Sequence, residues 1–252
     1  MMSVIWAFLA AIQFLTILPV RLRRAFTDLE ARWSTAYFPV VGLLLGIGLY
    51  RLDTWLADFL PVRLSGLVTV LAWVLLTGAM HLEGWADFCD GMFVKGDRER
   101  ALACMRDPRV GAYGAIGVVL LVLLKLELLV SLDRDMLPAA LIFACAFARY
   151  AAVLLLFFLP PARQEGLAKT YAGEVPLFAL IAASAFLFTF MFTAGRVLLH
   201  VLLPVFLAAV LFGAWVMRRL GGITGDACGA AIELLEVVAL AQLYLVSRFT
   251  HF

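Results

Sequence analysis

Residues 81–91 read HLEGWADFCDG and combine a histidine with three carboxylates at the end of a long apolar run. Glu83, Asp87 and Asp90 are spaced at i, i+4 and i+7, so on a helix they lie within roughly 60° of one another. Three like charges on one face repel unless a positive group lies between them, and a hard divalent cation is the simplest such group. His81 precedes them as a candidate general base or hydrogen-bond donor to a metal ligand. The segment therefore predicts a metal site.

A second polar segment, residues 95–117, suits phosphate. Arg106 and Arg109 flank an Asp-Pro pair, and glycines recur every third residue as the next apolar run begins. Guanidinium forks pair with phosphate oxygens, and exposed N–H groups at a helix start add donors. The alternative is arginines that set membrane orientation, followed by glycines for close helix packing. Beside three carboxylates we favour phosphate binding. The polar half is expected to form a short amphipathic helix with Leu102 and Met105 towards the membrane.

A third segment, residues 221–236, reads GGITGDACGAAIELLE. Either Thr224 or Asp226 can cap the helix that follows, and the small residues permit close helix approach. Asp226 and Glu233 are seven residues apart and so share a helix face. The segment is thus either a capped helix with interfacial glutamates or a further source of active-site carboxylate.

Several ionisable residues fall inside apolar runs, where charge is costly and is usually paired or functional. We expect Glu127 and Glu236 to form ion pairs within the helical bundle. Lys125 and Arg149 are either their partners or groups that reach a polyanionic ligand. The polar loop 162–175, which contains Glu165, by itself predicts only a connection between two spans.

Composition assigns the chain to membrane proteins. Its 252 residues are 65% hydrophobic and only 15% charged, with a mean hydropathy of +1.02. A soluble domain of this size carries about a quarter charged residues, so the apolar surface here must face lipid. The four cysteines form no CxxC pair, which argues against a zinc site or a disulfide framework.

We predict an all-α, polytopic transmembrane bundle forming one domain, residues 1–252. Eight apolar runs are long enough to span a bilayer, and seven spans with one re-entrant segment is the alternative. The predicted spans are 3–20, 34–50, 62–82, 110–131, 136–160, 175–196, 197–217 and 228–247. Lys and Arg concentrate in the loops after the first, third, fifth and seventh spans, which therefore lie in the cytoplasm together with the acidic segment.

Four motifs in this order, HLEGWADFCDG, RDPRVGAYGAIG, ARQEGL and GGITGDACGAAIELLE, resemble those of the cobalamin synthase family over essentially the whole chain. In the family pattern the first acid is usually Asp followed by Gly-Leu, whereas here Glu83 is followed by Gly-Trp. The resemblance implies a Mg²⁺-dependent enzyme of the bacterial inner (cytoplasmic) membrane. It would transfer the adenosylcobinamide-phosphate group of adenosylcobinamide-GDP to α-ribazole or α-ribazole 5′-phosphate, with release of GMP.

The chemistry of that reaction suggests roles for the residues. Mg²⁺ would be held against the pyrophosphate by carboxylates, and substrate would contact basic and polar side chains. As catalytic groups, either Asp226 would complete the metal site or His81 would take the proton of the ribazole hydroxyl. The expected metal ligands are Glu83, Asp87 and Asp90, and the expected substrate contacts are Arg106, Arg109, Arg149, Lys125 and Glu165.

Two other functions compete with this one. A membrane phosphotransferase acting on a nucleotide-activated lipid headgroup would use the same chemistry. An ion-coupled transporter is disfavoured because the acids cluster at one membrane edge and the sequence shows no internal repeat. We expect no nucleic-acid partner, and a homo-oligomer stays open.

Overall fold

The computed structural model describes residues 4–20, 24–165, 167–194 and 197–249, and within these ranges the chain is helical without a β-sheet. Residue 3, where the first predicted span begins, and residues 195–196, where the sixth one ends, lie outside the described residues. An isolated parallel bridge joins Pro161 to Ile223. The helices are α1 (Val4–Leu15), α2 (Asp28–Ser34), α3 (Phe38–Ala57), α4 (Val62–Leu76), α5 (Met80–Phe93), α6 (Arg98–Cys104), α7 (Ala112–Ser131), α8 (Leu137–Phe158), α9 (Leu167–Tyr171), α10 (Leu177–Ala194), α11 (Val197–Leu220) and α12 (Gly225–Phe249).

The centre of the bundle is α8, whose side chains are buried along most of its length. It packs against α3 on one side and α12 on the other, and α12 in turn packs against α5 and α7. Small residues such as Ala144, Ala148 and Ala152 line α8 and let neighbouring helices approach closely. Of the helices that carry the polar motifs, α12 therefore packs directly on the buried helix, and α5 and α7 pack on α12.

The predicted membrane bundle is confirmed in class, while the predicted number of spans is not. Among the described residues, five helices are long and apolar enough to cross a bilayer, or six if one bent helix pair counts as a single span. Two shorter apolar helices, Val4–Leu15 and Leu177–Phe192, accompany them. The structure thus supports five or six spans where the sequence predicts seven or eight.

The bent pair corrects the predicted span 62–82. The chain breaks after Leu76, and α4 and α5 meet at an angle of 86°. Gly78 and Ala79 both adopt positive φ, 64° and 57°, in the left-handed region that is easy for glycine and unfavourable for alanine. This turn separates the acidic segment from the apolar run before it and gives it a helix of its own.

Helix α6 confirms the short helix predicted in the second polar segment, but not its orientation. Met105 is 3% exposed and packs against Gly91 of α5 instead of facing the membrane. The second polar segment is therefore held against the acidic helix.

Candidate active site

The polar loops meet at one end of the bundle and are tied together by arginines that donate to backbone carbonyls. Arg98 donates to Leu220 (2.6 Å) and Ala162 (3.0 Å), and Arg219 donates to Val94 (2.8 Å). These bonds join the segments before α6, after α8 and after α11. The motifs that lie far apart in the sequence thus form one continuous polar surface.

Three carboxylates of that surface share a cavity. Glu83 and Asp87 lie one turn apart on α5, and Asp226 lies in the first turn of α12. A Cβ added at Gly84 would be 2.9 Å from the Asp226 carbonyl oxygen, so the absence of a side chain there allows the two helices to meet. Thr224 caps α12 by accepting the Ala227 N–H (3.0 Å), which leaves the Asp226 carboxylate available to the cavity.

Glu83 and Asp87, which we call the acidic pair, line two adjoining cavities. The first has a volume of about 370 Å³, and we call it the aromatic cavity. Besides the acidic pair, it is lined by Asp226, by His81 and by apolar residues that include Phe14, Leu156, Tyr171 and Ile232. The second, of about 520 Å³, we call the arginine cavity; it is lined by the acidic pair and by Met105, Arg106, Asp107, Pro108 and Val110. The acidic pair therefore lies between a cavity with aromatic walls and one that contains a guanidinium.

The arginine predictions have different outcomes. Arg106 lines the arginine cavity and a neighbouring groove, where it lies 3.6 Å from Glu165. The structure thus brings Arg106 and Glu165 together beside the acidic pair. Arg109 is 86% exposed and does not line either cavity; its guanidinium lies 2.7 Å from Asp107. That pairing lowers the pKa of Asp107 to about 2, so the two charges largely satisfy each other.

Arg163 is a site residue that sequence reasoning missed. It donates to the Leu102 carbonyl (2.9 Å), and its other guanidinium nitrogen lies 3.5 Å from Asp226. Partial burial lowers its pKa, but an arginine stays protonated at any physiological pH. It therefore supplies fixed positive charge beside Asp226. Its sequence signals were its position in a polar loop and in the motif ARQEGL.

Asp90 has a different place from the one predicted. One carboxylate oxygen accepts the Gly111 N–H (2.7 Å) and the other accepts the Gly114 N–H (2.9 Å), both at the start of α7. Asp90 is buried and lines neither cavity. Its charge satisfies free N–H groups at a helix N-terminus, so Asp90 lies close to Asp87 on α5 but does not present its carboxylate to either cavity.

Lys125 and Arg149, which were predicted as substrate contacts, form ion pairs inside the bundle instead. Lys125 contacts Glu233 (2.6 Å) and Glu236, and Arg149 contacts Glu236. All four side chains are at least 96% buried. We call these residues the buried ion cluster; it confirms the predicted pairing of Glu236. Glu127 instead pairs with Arg63 at the surface (2.5 Å).

His81 lies between the buried ion cluster and the aromatic cavity. It is 5% exposed and lines the cavity, and its Nδ1 has no hydrogen-bond partner among the described residues. A buried polar atom without a partner is uncommon in folded proteins. His81 thus offers a free polar atom on the wall of the aromatic cavity.

The acidic pair suits Mg²⁺. Within the described ranges no group of three or more His, Cys, Asp or Glu side chains is gathered into a preformed metal cage. Mg²⁺ is usually bound by one or two carboxylates together with substrate phosphates and water, so it does not need such a cage. Glu83 and Asp87 supply the two carboxylates, and the adjacent Arg106 marks where phosphates would approach.

The chain has named relatives along nearly its whole length. The family profile of Cobalamin-5-phosphate synthase (CobS) matches residues 7–244. Proteins named adenosylcobinamide-GDP ribazoletransferase are similar to it: that of Geotalea daltonii is 39% identical over 95% of this chain and 97% of its own length. Those of Pseudomonas fluorescens Pf-5 and Klebsiella pneumoniae 342 are each 38% identical, over 92% and 94% of this chain and 96% and 98% of their own. No solved structure matches. The chain belongs to the Cobalamin-5-phosphate synthase family.

Proposed function

We propose that this chain transfers the adenosylcobinamide-phosphate group of adenosylcobinamide-GDP to a hydroxyl of α-ribazole or α-ribazole 5′-phosphate and releases GMP. The names of its relatives support this activity. The structural observation that supports it best is the acidic pair, which lines two adjoining cavities, one with aromatic walls and one that contains the guanidinium of Arg106. A reaction between an anionic nucleotide conjugate and an acceptor with a flat aromatic base can use two such cavities, one on either side of the phosphorus.

The donor pyrophosphate fits the arginine cavity. Arg106 would pair with its oxygens, since charge-assisted hydrogen bonds from a guanidinium fork bind phosphate strongly. Glu83 and Asp87 would hold Mg²⁺, and the bound ion would neutralise the negative charge that develops on the pyrophosphate oxygens. These residues orient the phosphorus towards the aromatic cavity, where the acceptor hydroxyl would lie.

Transfer is a displacement at that phosphorus. The ribazole hydroxyl oxygen forms the new P–O bond, the bond to the bridging oxygen breaks, and GMP leaves with that oxygen. We propose Asp226 as the group that takes the hydroxyl proton, because its carboxylate lines the aromatic cavity, where the acceptor would bind, together with the acidic pair. Arg163, 3.5 Å away, would hold Asp226 in place.

We further propose that the protein lies in the bacterial cytoplasmic membrane with its site at the cytoplasmic face. The distribution of Lys and Arg along the chain supports this orientation. Both proposed substrates are polar molecules that the cytoplasm would supply.

The test of the proposed function is GMP release by the purified protein in lipid nanodiscs. GMP should appear only when adenosylcobinamide-GDP, α-ribazole and Mg²⁺ are all present, and chelation with EDTA should return release to background. A competing CDP-alcohol lipid should have no effect. Consumption of that lipid in place of the corrinoid would show a lipid-headgroup phosphotransferase instead.

Arg106→Ala is expected to weaken donor use. Loss of charge-assisted contacts to the pyrophosphate should raise KM for adenosylcobinamide-GDP by about ten- to a hundredfold, with KM for α-ribazole unchanged. Steady-state kinetics with each substrate varied in turn measures this. Arg51→Ala, which removes an exposed arginine of α3, is the control. Unchanged constants for Arg106→Ala would show that this residue serves membrane orientation only.

A further inference from the structure

Beyond its three carboxylates and two other polar side chains, the aromatic cavity is lined by apolar and small residues. Phe14, Leu156, Tyr171 and Ile232 line it, together with small residues of α12. A pyrophosphate or a sugar would lose hydration against these apolar side chains without gaining partners. The aromatic cavity therefore suits an apolar group attached to a polar one.

Two of the walls are aromatic. The rings of Phe14 and Tyr171 lie 5.0 Å apart between centroids. Burial raises the pKa of Tyr171 to about 12, so its ring carries no charge at physiological pH. Aromatic walls favour a flat ring, which can stack or meet them edge to face.

Besides its three carboxylates, the aromatic cavity is lined by two polar side chains. His81 is 5% exposed, with an Nδ1 that no described residue satisfies, and Gln13 is an exposed residue. A neutral imidazole with its proton on Nδ1 can donate one hydrogen bond. The cavity suits a flat ring with a single acceptor nitrogen.

On this geometry, and resting on the proposed function, we propose that the aromatic cavity binds the dimethylbenzimidazole ring of α-ribazole, with Ile232 as a specificity-determining wall and His81 as the hydrogen-bond donor to its unsubstituted ring nitrogen. The ring is flat and apolar, and its sugar hydroxyls would lie at the carboxylates. A cavity of about 370 Å³ is within the size range of small-molecule sites. His81 then positions the acceptor, while proton removal falls to Asp226.

The first test measures binding without the donor. Equilibrium dialysis of α-ribazole against the nanodisc-embedded protein should show saturable binding, and Ile232→Trp, which fills the cavity, should weaken it at least about tenfold. Ile181→Trp, on a lipid-facing position of α10, is the matched control and should bind normally. Thermal unfolding of both variants checks folding; if Ile232→Trp does not fold, Ile232→Ala replaces it and should lose the preference for α-ribazole over its unmethylated analogue.

The second test separates binding from catalysis at His81. His81→Leu should raise Kd and KM for α-ribazole about tenfold with kcat retained, and His81→Gln, which keeps an N–H donor, should restore affinity. A loss of kcat in His81→Gln with unchanged affinity would instead make His81 the general base and overturn its positioning role.

The outcomes distinguish this inference from the proposed function. If the wild type releases GMP but Ile232→Trp retains full affinity for α-ribazole, the cavity is not the acceptor site while the activity stands. If the wild type neither binds α-ribazole nor releases GMP, both fail.

Discussion

Asp87→Asn is expected to lower the rate of GMP release by roughly a thousandfold, the scale of losing one preorganised electrostatic group at a reacting centre. Asn keeps the size of the side chain but removes the negative charge that would hold Mg²⁺ between the two cavities. Glu83 would remain alone and bind the cation weakly. Single-turnover GMP release with saturating substrates measures the effect directly.

The matched control is Asp58→Asn, which removes an exposed carboxylate at the end of α3. Both variants should insert into membranes and unfold at the temperature of the wild type. A Mg²⁺ titration adds a second readout, because Asp87→Asn should need a higher concentration for its residual activity. Near-normal turnover of Asp87→Asn would remove the acidic pair from the mechanism.

Lys125→Met is expected to destabilise the fold by about 3–5 kcal/mol, because it removes one partner from a buried group of charges. Lys125 is 2% exposed and contacts both Glu233 and Glu236. Its ammonium also lies 4.5 Å from the centre of the Trp73 ring, a further interaction that methionine loses. Without it two carboxylates share the single guanidinium of Arg149. The midpoint of unfolding in detergent, followed by circular dichroism, reports the change.

A double variant tests the cause. Lys125→Met combined with Glu233→Gln leaves one carboxylate for one guanidinium and should recover much of the lost stability. Lys95→Met, at an exposed position, should leave the midpoint unchanged. If the double variant is as unstable as the single one, packing of the lysine stem rather than charge balance accounts for the loss.

Composition was enough to predict the fold class, because a backbone in lipid must satisfy its hydrogen bonds internally and helices do so. It was not enough to predict the break between α4 and α5. Gly78 occurs inside an apolar run that reads as one helix, and Ala79 adopts a positive φ that its residue type does not suggest. The predicted number of spans depended on such breaks.

Helix periodicity predicted that Glu83 and Asp87 share a face, since that property is local. It also placed Asp90 there, and the sequence could not reveal that the N-terminus of α7 would contact its carboxylate. The same limit applies to Lys125, whose partner Glu233 lies 108 residues away. Because burying a charge in a membrane is costly, the sequence predicted that Lys125 is either ion-paired or functional. Only the packing of the helices showed that it is ion-paired.

The bonds from Asp90 to α7 have a consequence for genetic screens. Both oxygens of this carboxylate hold amides of a different helix, so a substitution would change the spacing between the acidic segment and the arginine-bearing loop. A screen that scores only inactivation would group Asp90 with Glu83 and Asp87. Residues that such a screen finds essential would thus include some that contact the reactants and some that only set the distance between two parts of the site.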